Sequence, residues 1–359
     1  MLLLQKSTKS KGFFMGQYTM NMYQKAFHKA DISSSSFLIT GGAGFIGSNI
    51  VEYLIKFGAG KVRVLDNLSN GFLSNIEAFE GNPSFEFIKG DITDPKLCKD
   101  ACQGIDYVLH QAALGSVPRS LKNPQATNMA NVTGYLNMLV AAKEANVRRF
   151  VYASSSSVYG DSPHLPKTEE LIGNPLSPYA VSKRVDELYA RVFALNYGME
   201  VLGLRYFNVF GPRQSPDGPY AAVIPLFMDA VLKNQEPTIN GDGEQSRDFT
   251  FVENAVQANI KALFCPLISK NGEVLNIAVG ARTTINELFQ IIRGHADSDL
   301  QPIYKEEREG DVKHSLADIN RARKVLDYVP AIPAEDGLKI TFEWFKEKYF
   351  GQLNTTTHV

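Results

Sequence analysis

Phe37-Leu-Ile-Thr-Gly-Gly-Ala-Gly-Phe-Ile-Gly47 decides the fold. A short apolar run ends at Thr40, glycines follow at 41, 42, 44 and 47, and an amphipathic stretch continues to about Lys56. Glycines at this spacing let a backbone turn tightly and approach a pyrophosphate, whose charge then faces a helix N-terminus. Lys61-Val-Arg-Val-Leu65 predicts the next strand and ends on Asp66, about 20 residues beyond the loop. A carboxylate there can bind both hydroxyls of a ribose and repels a 2′-phosphate, which favours NAD over NADP.

The pattern repeats outward. Strands are expected at Phe85–Ile88, Tyr107–His110, Arg149–Ala153 and Val201–Arg205. Helical intervals are expected around Pro95 to Cys102 and from Asn131 to Ala145. Such alternation predicts βαβ units in a Rossmann-type, doubly wound parallel α/β sheet. Beyond residue 206 the texture becomes Pro- and Gly-rich. The expected organisation is an arm over 1–35, a dinucleotide-binding domain over 36–206, a smaller α/β substrate domain over 207–350 with some segments returning to the sheet, and a tail over 351–359. Within the arm, a peripheral helix is expected around Tyr18 to Lys29. Met1-Leu-Leu-Leu is too short for the apolar core of a signal peptide, and Met15 and Met20 are alternative starts.

Composition narrows the function classes. The 359 residues carry a formal net charge of -1 and are 44% hydrophobic. Basic residues are dispersed, so no footprint for nucleic acid or an anionic membrane is present. No apolar run approaches the roughly 20 residues of a membrane span. Cys98, Cys102 and Cys265 are too few for a disulfide framework and predict a reducing, cytoplasmic setting. Cys98 and Cys102 share helical spacing, but no second Cys/His pair completes a zinc site, and no metal is expected.

Ser177-Pro-Tyr-Ala-Val-Ser-Lys183 supplies the chemistry. Positions i and i+4 of a helix share a face, so Tyr179 and Lys183 can point into one site. A phenol is a poor base at neutral pH, and a neighbouring ammonium favours its ionised form.

Together these residues resemble the extended short-chain dehydrogenase/reductase family, in particular its nucleotide-sugar epimerases and most closely the bacterial UDP-N-acetylhexosamine 4-epimerases. The resemblance runs from about Phe37 to Tyr349. It is carried by Leu109-His-Gln-Ala-Ala-Leu-Gly-Ser-Val-Pro-Arg119, Leu204-Arg-Tyr-Phe-Asn-Val-Phe-Gly211, Ile239-Asn-Gly-Asp-Gly243 and Arg308-Glu-Gly-Asp-Val312.

The resemblance implies a catalytic hydroxyl at Ser155, four residues before Tyr159, with Tyr179 as base and Lys183 as its partner and ribose anchor. It implies NAD contacts at Gly41, Gly44, Phe45, Ile46 and Gly47, at Asp66 and Asn67, and at Asp91 and Ile92. Further cofactor-side residues are implied at Gln111, Ala112, Ala113, Asn131 and Tyr206, with Asn131 a structural or water-holding contact near the lysine. For a UDP-sugar, Arg247 and Arg308 match pyrophosphate arginines, Asp311 a ribose contact, and Ile239 and Asn240 the uracil border. Thr238 stands where the family commonly stacks an aromatic ring. Phe207 and Asn208 are expected against the nicotinamide side of the sugar pocket.

Gly115, Ser116, Ser155, Ser156, Gln214, Ala222, Val223 and Ser315 are expected around the hexose. A small residue at 315 leaves room for a 2-N-acetyl group, which implies the pair UDP-GlcNAc/UDP-GalNAc. The implied reaction oxidises C4 to a ketone, turns the ketose about its pyrophosphate link, and returns the hydride to the other face, with NAD bound throughout. UDP-glucose and UDP-hexuronate 4-epimerases share this apparatus. A 4,6-dehydratase would need an Asp-Glu pair where Ser156-Ser157-Val158 stands. A non-catalytic NAD-binding regulator commonly lacks the tyrosine or lysine, and both are present. A homodimer packed through helices near Val132 to Ala145 and Ser182 to Tyr197 is also implied.

Overall fold

The computed structural model describes residues 22–217, 221–266, 271–307 and 313–356, the last eight of these as helical backbone only. Six parallel strands come first: β1 (Ser36–Thr40), β2 (Lys61–Asp66), β3 (Phe85–Lys89), β4 (Tyr107–His110), β5 (Arg149–Ser155) and β6 (Val201–Tyr206). A seventh, Glu273–Ile277, joins the far edge of β6 in parallel. The spatial order, with that late strand first, is Glu273–Ile277, β6, β5, β4, β1, β2, β3. Strand order therefore reverses between β1 and β4, and that switch point opens a crevice at the carboxyl ends of the strands.

The strands form because their residues suit burial on both faces. Phe37 and Ile39 enter one apolar cluster while Leu38 enters the other, as alternation along a strand requires. The second cluster packs β1, β4 and β5 against α2 (Pro95–Cys102) and α5 (Gly134–Glu144). The first cluster continues from Phe37, Val62 and Leu204 into the later lobe at Phe227, Phe289 and Ile292. One apolar core thus spans the sheet and that lobe.

The later lobe uses three small strand pairs, Val209–Phe210 with Thr250–Phe251, Thr238–Asn240 with Ile303–Lys305, and Ser246–Arg247 with Thr283–Thr284. Helices Val223–Leu232, Ile285–His295 and Ala334–Thr356 pack beside them. Thr284 and Glu287 form a reciprocal capping box that fixes the start of Ile285–His295.

Two local expectations change. Residues 22–35 carry no helix; Met22 and Tyr23 are fully buried, and Phe27 stacks on Tyr53 of α1 (Phe45–Lys56) at 5.2 Å. Tertiary packing of these side chains outweighs the local helical pattern. The rest of the proposed arm helix, before residue 22, lies outside the described residues. The helix expected from Asn131 begins earlier and is interrupted: α3 (Val117–Lys122) and α4 (Pro124–Asn128) lead into a π-turn at Met129–Thr133 before α5.

Candidate active site

Glycine conformation shapes the first part of the crevice. Gly41 adopts φ +68°, and a Cβ there would lie 2.7 Å from the Ala112 nitrogen. A Cβ on Gly47 would collide with the Gly41 carbonyl oxygen. The N-terminus of α1 has no side-chain cap and no acid in its first turn. Its unsatisfied N–H groups therefore suit an anionic diphosphate.

Asp66 ends β2 beside this loop, its carboxylate accepting from Ala43 N at 2.9 Å and Leu68 N at 2.8 Å. Burial pushes its pKa up. Asn67 donates to Asp91 Oδ2 at 2.6 Å, which joins the ends of β2 and β3. Asp66, Asn67, Asp91, Ile92 and Ala112 line one cleft of about 410 Å³ with Gly41 and Gly44. An uncapped helix end, a glycine cradle and a carboxylate at the second strand together fit NAD.

A second cleft of about 550 Å³ continues from the first, sharing Gly41, Gly44, Gln111 and Ala113 with it. Phe45, Ile46 and Gly47 form its floor, and Ser155, Tyr179, Lys183 and Tyr206 meet there. Ser155 ends β5, its Oγ accepting from Ser157 N at 3.1 Å. Tyr179 is the second residue of α6 (Pro178–Tyr197), whose start is capped by Ser177 Oγ accepting from Ala180 N. One helical turn on, Lys183 donates to Ala153 O at 2.8 Å, tying α6 to the strand that carries Ser155. The phenol of Tyr179, the Ser155 hydroxyl and the Lys183 ammonium thus line one wall.

That wall is held by side chains to which the motif reading assigned no role. Arg205 clamps Glu187 through both carboxylate oxygens at 2.7 and 2.9 Å, with both side chains 2% exposed. Ser154 also donates to Glu187 Oε1, and Arg205 donates to Tyr159 Oη. β5, β6 and α6 therefore share one desolvated network. Tyr206, Gln111 and Asn259 form a closed ring of hydrogen bonds at 2.6 to 3.1 Å behind the cleft.

Asn131 is buried and lines none of the clefts. It accepts from Leu114 N at 2.8 Å and donates to Ser182 Oγ at 3.0 Å, while Ser182 donates to the Tyr179 carbonyl. These bonds brace the first turn of α6, which carries Tyr179 and Lys183. Phe207 likewise turns inward, fully buried beside Tyr159.

Gly115, Ser116, Ser156, Asn208, Gln214 and Ala222 also line the second cleft. Asn208, Gln214 and Ala222 also border a third cleft of about 680 Å³, with Val223, Thr238, Ile239, Asn240 and Arg247. Arg247 follows from its neighbour Asp248, fully buried and accepting from Val279 N and Gly280 N at 3.0 Å each. Burial pushes the Asp248 pKa up to about 6. Ser315 donates its N–H to the Ser246 carbonyl at 3.0 Å and is not among the residues lining the three clefts. Arg308 and Asp311 lie outside the described residues.

The structure adds residues that motif reading passed over. Arg119 donates to Asn70 Oδ1 at 2.7 Å and both line the second cleft. Lys305 lines the third. Arg119 stands inside a quoted signature, which was its available signal. Asn70 and Lys305 belong to loops and edge strands that only folding brings to the site. Among the described residues, no cluster of three or more His, Cys, Asp or Glu could hold a metal. No helix there is long and apolar enough to cross a membrane.

Known proteins share this architecture. Residues 37–278 match the model of the NAD dependent epimerase/dehydratase family. A putative UDP-glucose 4-epimerase of Methanocaldococcus jannaschii is 42% identical over 311 residues, 86% of this chain and 98% of that protein. A UDP-N-acetylglucosamine 4-epimerase of Methanobrevibacter ruminantium, solved with UDP-N-acetylmuramic acid, is also 42% identical, with a TM-score of 0.81 and coverage of 88% and 99%. The UDP-glucose 4-epimerase of Thermotoga maritima, solved with UDP-glucose, gives 36% identity, a TM-score of 0.82 and the same coverage.

Proposed function

The chain belongs to the NAD dependent epimerase/dehydratase family and is an NAD-dependent nucleotide-sugar 4-epimerase, and we propose that its substrates are UDP-GlcNAc and UDP-GalNAc. One observation carries the choice of sugar. A Cβ built on Gly115 would meet no atom within 4 Å, so the cleft beside the catalytic wall has open space there. Ser116, Ser156 and Ala222 keep the adjoining lining small. An acetamido group fills such room, whereas a hydroxyl leaves it to water. The likeness to the M. ruminantium enzyme supports the same reading. The UDP-glucose names of other relatives favour the UDP-glucose/UDP-galactose pair as the second reading.

Bound NAD would supply the hydride acceptor and donor for C4 of the sugar. Gly41, Gly44, Gly47 and Asp66 would hold it. Tyr179, as the phenolate, takes the proton from O4, and Lys183 supplies the positive field that favours this. The Ser155 hydroxyl hydrogen-bonds O4 and keeps it in line with the phenolate. Arg247 anchors the diphosphate by its forked geometry, so the hexose can turn while the nucleotide stays in place.

The same reading includes a homodimer in a reducing cytoplasm. Val181, Leu188, Val192 and Leu195 of α6 are 47 to 53% exposed and fall along one stripe, beside exposed Val140 of α5. A second copy packing the same stripe would bury it.

The deciding experiment mixes purified protein with UDP-GlcNAc, without added cofactor, and follows formation of UDP-GalNAc. Parallel reactions with UDP-glucose and UDP-glucuronate are run at matched concentrations. The expected kcat/KM for UDP-GlcNAc is at least about tenfold above the others, the range one well-filled pocket group provides. Equal efficiency with UDP-glucose overturns the choice of sugar.

A further inference from the structure

We propose that Asp186 is a positioning residue of the reaction, acting through Lys183 to hold its ammonium and to set the net charge that Tyr179 meets. The inference rests on Tyr179 being the proton acceptor.

Lys183 has three N–H donors. One goes to Ala153 O at 2.8 Å and one to Asp186 Oδ2 at 3.2 Å, one helical turn further along α6. The side chains of Lys183 and Asp186 are 3% and 0% exposed. The lysine reaches the cleft, while the carboxylate lies behind it and touches neither cleft nor solvent.

A buried carboxylate is costly unless its oxygens are satisfied. Here only Oδ2 is paired, and Oδ1 has no protein partner. The groups around it are few. From α6 it faces Lys183 and Glu187, and the hydroxyls of Tyr135 on α5 and Tyr152 on β5 lie within its electrostatic reach. Glu187 is already matched by Arg205 and by Arg184. Lys183 is thus the cation left to balance Asp186.

This arrangement has a consequence for the base. When Asp186 is ionised, the Lys183–Asp186 pair is neutral and offers the phenolate little field. When Asp186 carries a proton, the full charge of Lys183 acts on Tyr179. Burial pushes Asp186 up to about 7, opposed by Lys183, so the exchange between these states falls in the working range. As pH drops, Asp186 takes up a proton and the net positive charge beside Tyr179 rises. The acidic limb of the rate profile is extended and made shallow.

The test is the pH dependence of kcat for the NAD-containing enzyme and its Asp186→Asn variant, with UDP-GlcNAc or whichever UDP-hexose is turned over. Asparagine preserves shape and a hydrogen-bond acceptor for Lys183 but removes the charge. The expected result is an acidic limb moved down by about one pH unit and steepened to a single ionisation, with KM changed less than about twofold. A merely structural carboxylate would leave the limb within about 0.2 pH unit of the parent, and that result overturns the proposal. If Asp186→Asn does not fold, Asp186→Ser removes the same charge and is judged by the same criterion. Failure of both to fold assigns Asp186 to stability alone and also overturns it. Tyr179→Phe, run alongside, separates the two assignments: high activity there removes the base, whereas an inactive Tyr179→Phe with an unmoved Asp186→Asn limb removes only this inference.

Discussion

The hydroxyl of Tyr23 donates to Asn49 Oδ1 at 3.0 Å, and both side chains are fully buried. Asn49 in turn donates to Pro212 O at 3.2 Å. The next residue, Arg213, sits at φ +71° and pairs with Glu52 of α1 at 2.5 Å. A left-handed arginine is a strained conformation that its surroundings must hold. The segment before β1 is therefore tied through α1 to the turn that presents Gln214 to the sugar cleft. Tyr23→Phe is expected to lower stability by about 1 kcal/mol by leaving Asn49 short of a donor. Removing residues 1–30 is expected to raise KM for the UDP-sugar severalfold while NAD stays bound. Denaturant unfolding and steady-state kinetics check the two outcomes.

Tyr179→Phe retains the ring and deletes the proton acceptor. Turnover is expected to fall by about a thousandfold or more, within the range of a lost general base. Bound NAD, read from the nucleotide released on denaturation, should be unchanged because Tyr179 lies apart from the Asp66 end of the cleft. Activity near that of the parent would take Tyr179 out of the mechanism.

Gly47→Val should leave a protein without NAD. The added atoms meet the Gly41 carbonyl at the point where the diphosphate must approach α1. Nucleotide content at purification reads this directly, and a full complement of NAD contradicts it.

Arg205→Met breaks the buried pair with Glu187 and leaves that carboxylate under-compensated, with only Ser154 and the half-exposed Arg184 beside it. A loss of about 4 kcal/mol in stability is expected. The double change Arg205→Met with Glu187→Leu should recover much of it, because the under-compensated charge is then gone. Activity would stay impaired in both, since this pair sets α6 against the strand carrying Ser155.

His110 gives a pH prediction. It is buried against Tyr135 and Phe150, shares a hydrogen bond with Thr40 at 2.8 Å, and burial together with Lys183 pulls its pKa down to about 3. The folded value lies below the ordinary 6.5. Its contribution is therefore fully present above 6.5 and is lost as pH falls toward 3. Near pH 5 the loss should be about 2 kcal/mol. His110→Gln should lose correspondingly less stability than the parent between about pH 7 and pH 5. Equal losses would show that His110 takes up its proton in the folded state.

Leu188→Glu places a charge in the middle of the exposed α6 stripe. Light scattering is expected to show dimers for the parent and monomers for the variant, with folding retained because Leu188 contributes little to the core. A monomeric parent would sink the dimer reading.

What could be read without a fold is the set of features whose chemistry is local. The run 37–40, the glycines at 41, 44 and 47 and Asp66 specify a strand, a turn, a helix start and a ribose acceptor within 30 residues. Tyr179 and Lys183 are brought together by helical geometry alone. The positions of β1 to β6 follow from apolar runs in the sequence.

Tertiary structure alone decided the rest, because those contacts join residues far apart in the chain. Asn131 was read as a structural contact near the lysine, and folding supplied its partners: a neighbouring loop at Leu114 and Ser182 of α6 share its amide. Ser315 was read as a pocket wall, and its backbone partner Ser246, 69 residues away, is one that only folding supplies. The clamp of Arg205 on Glu187 spans 18 residues, and the link from Gln111 to Asn259 spans 148. Sequence periodicity carries no information about such distances. Local patterns selected the chemistry, and long-range packing selected which side chains hold it in place.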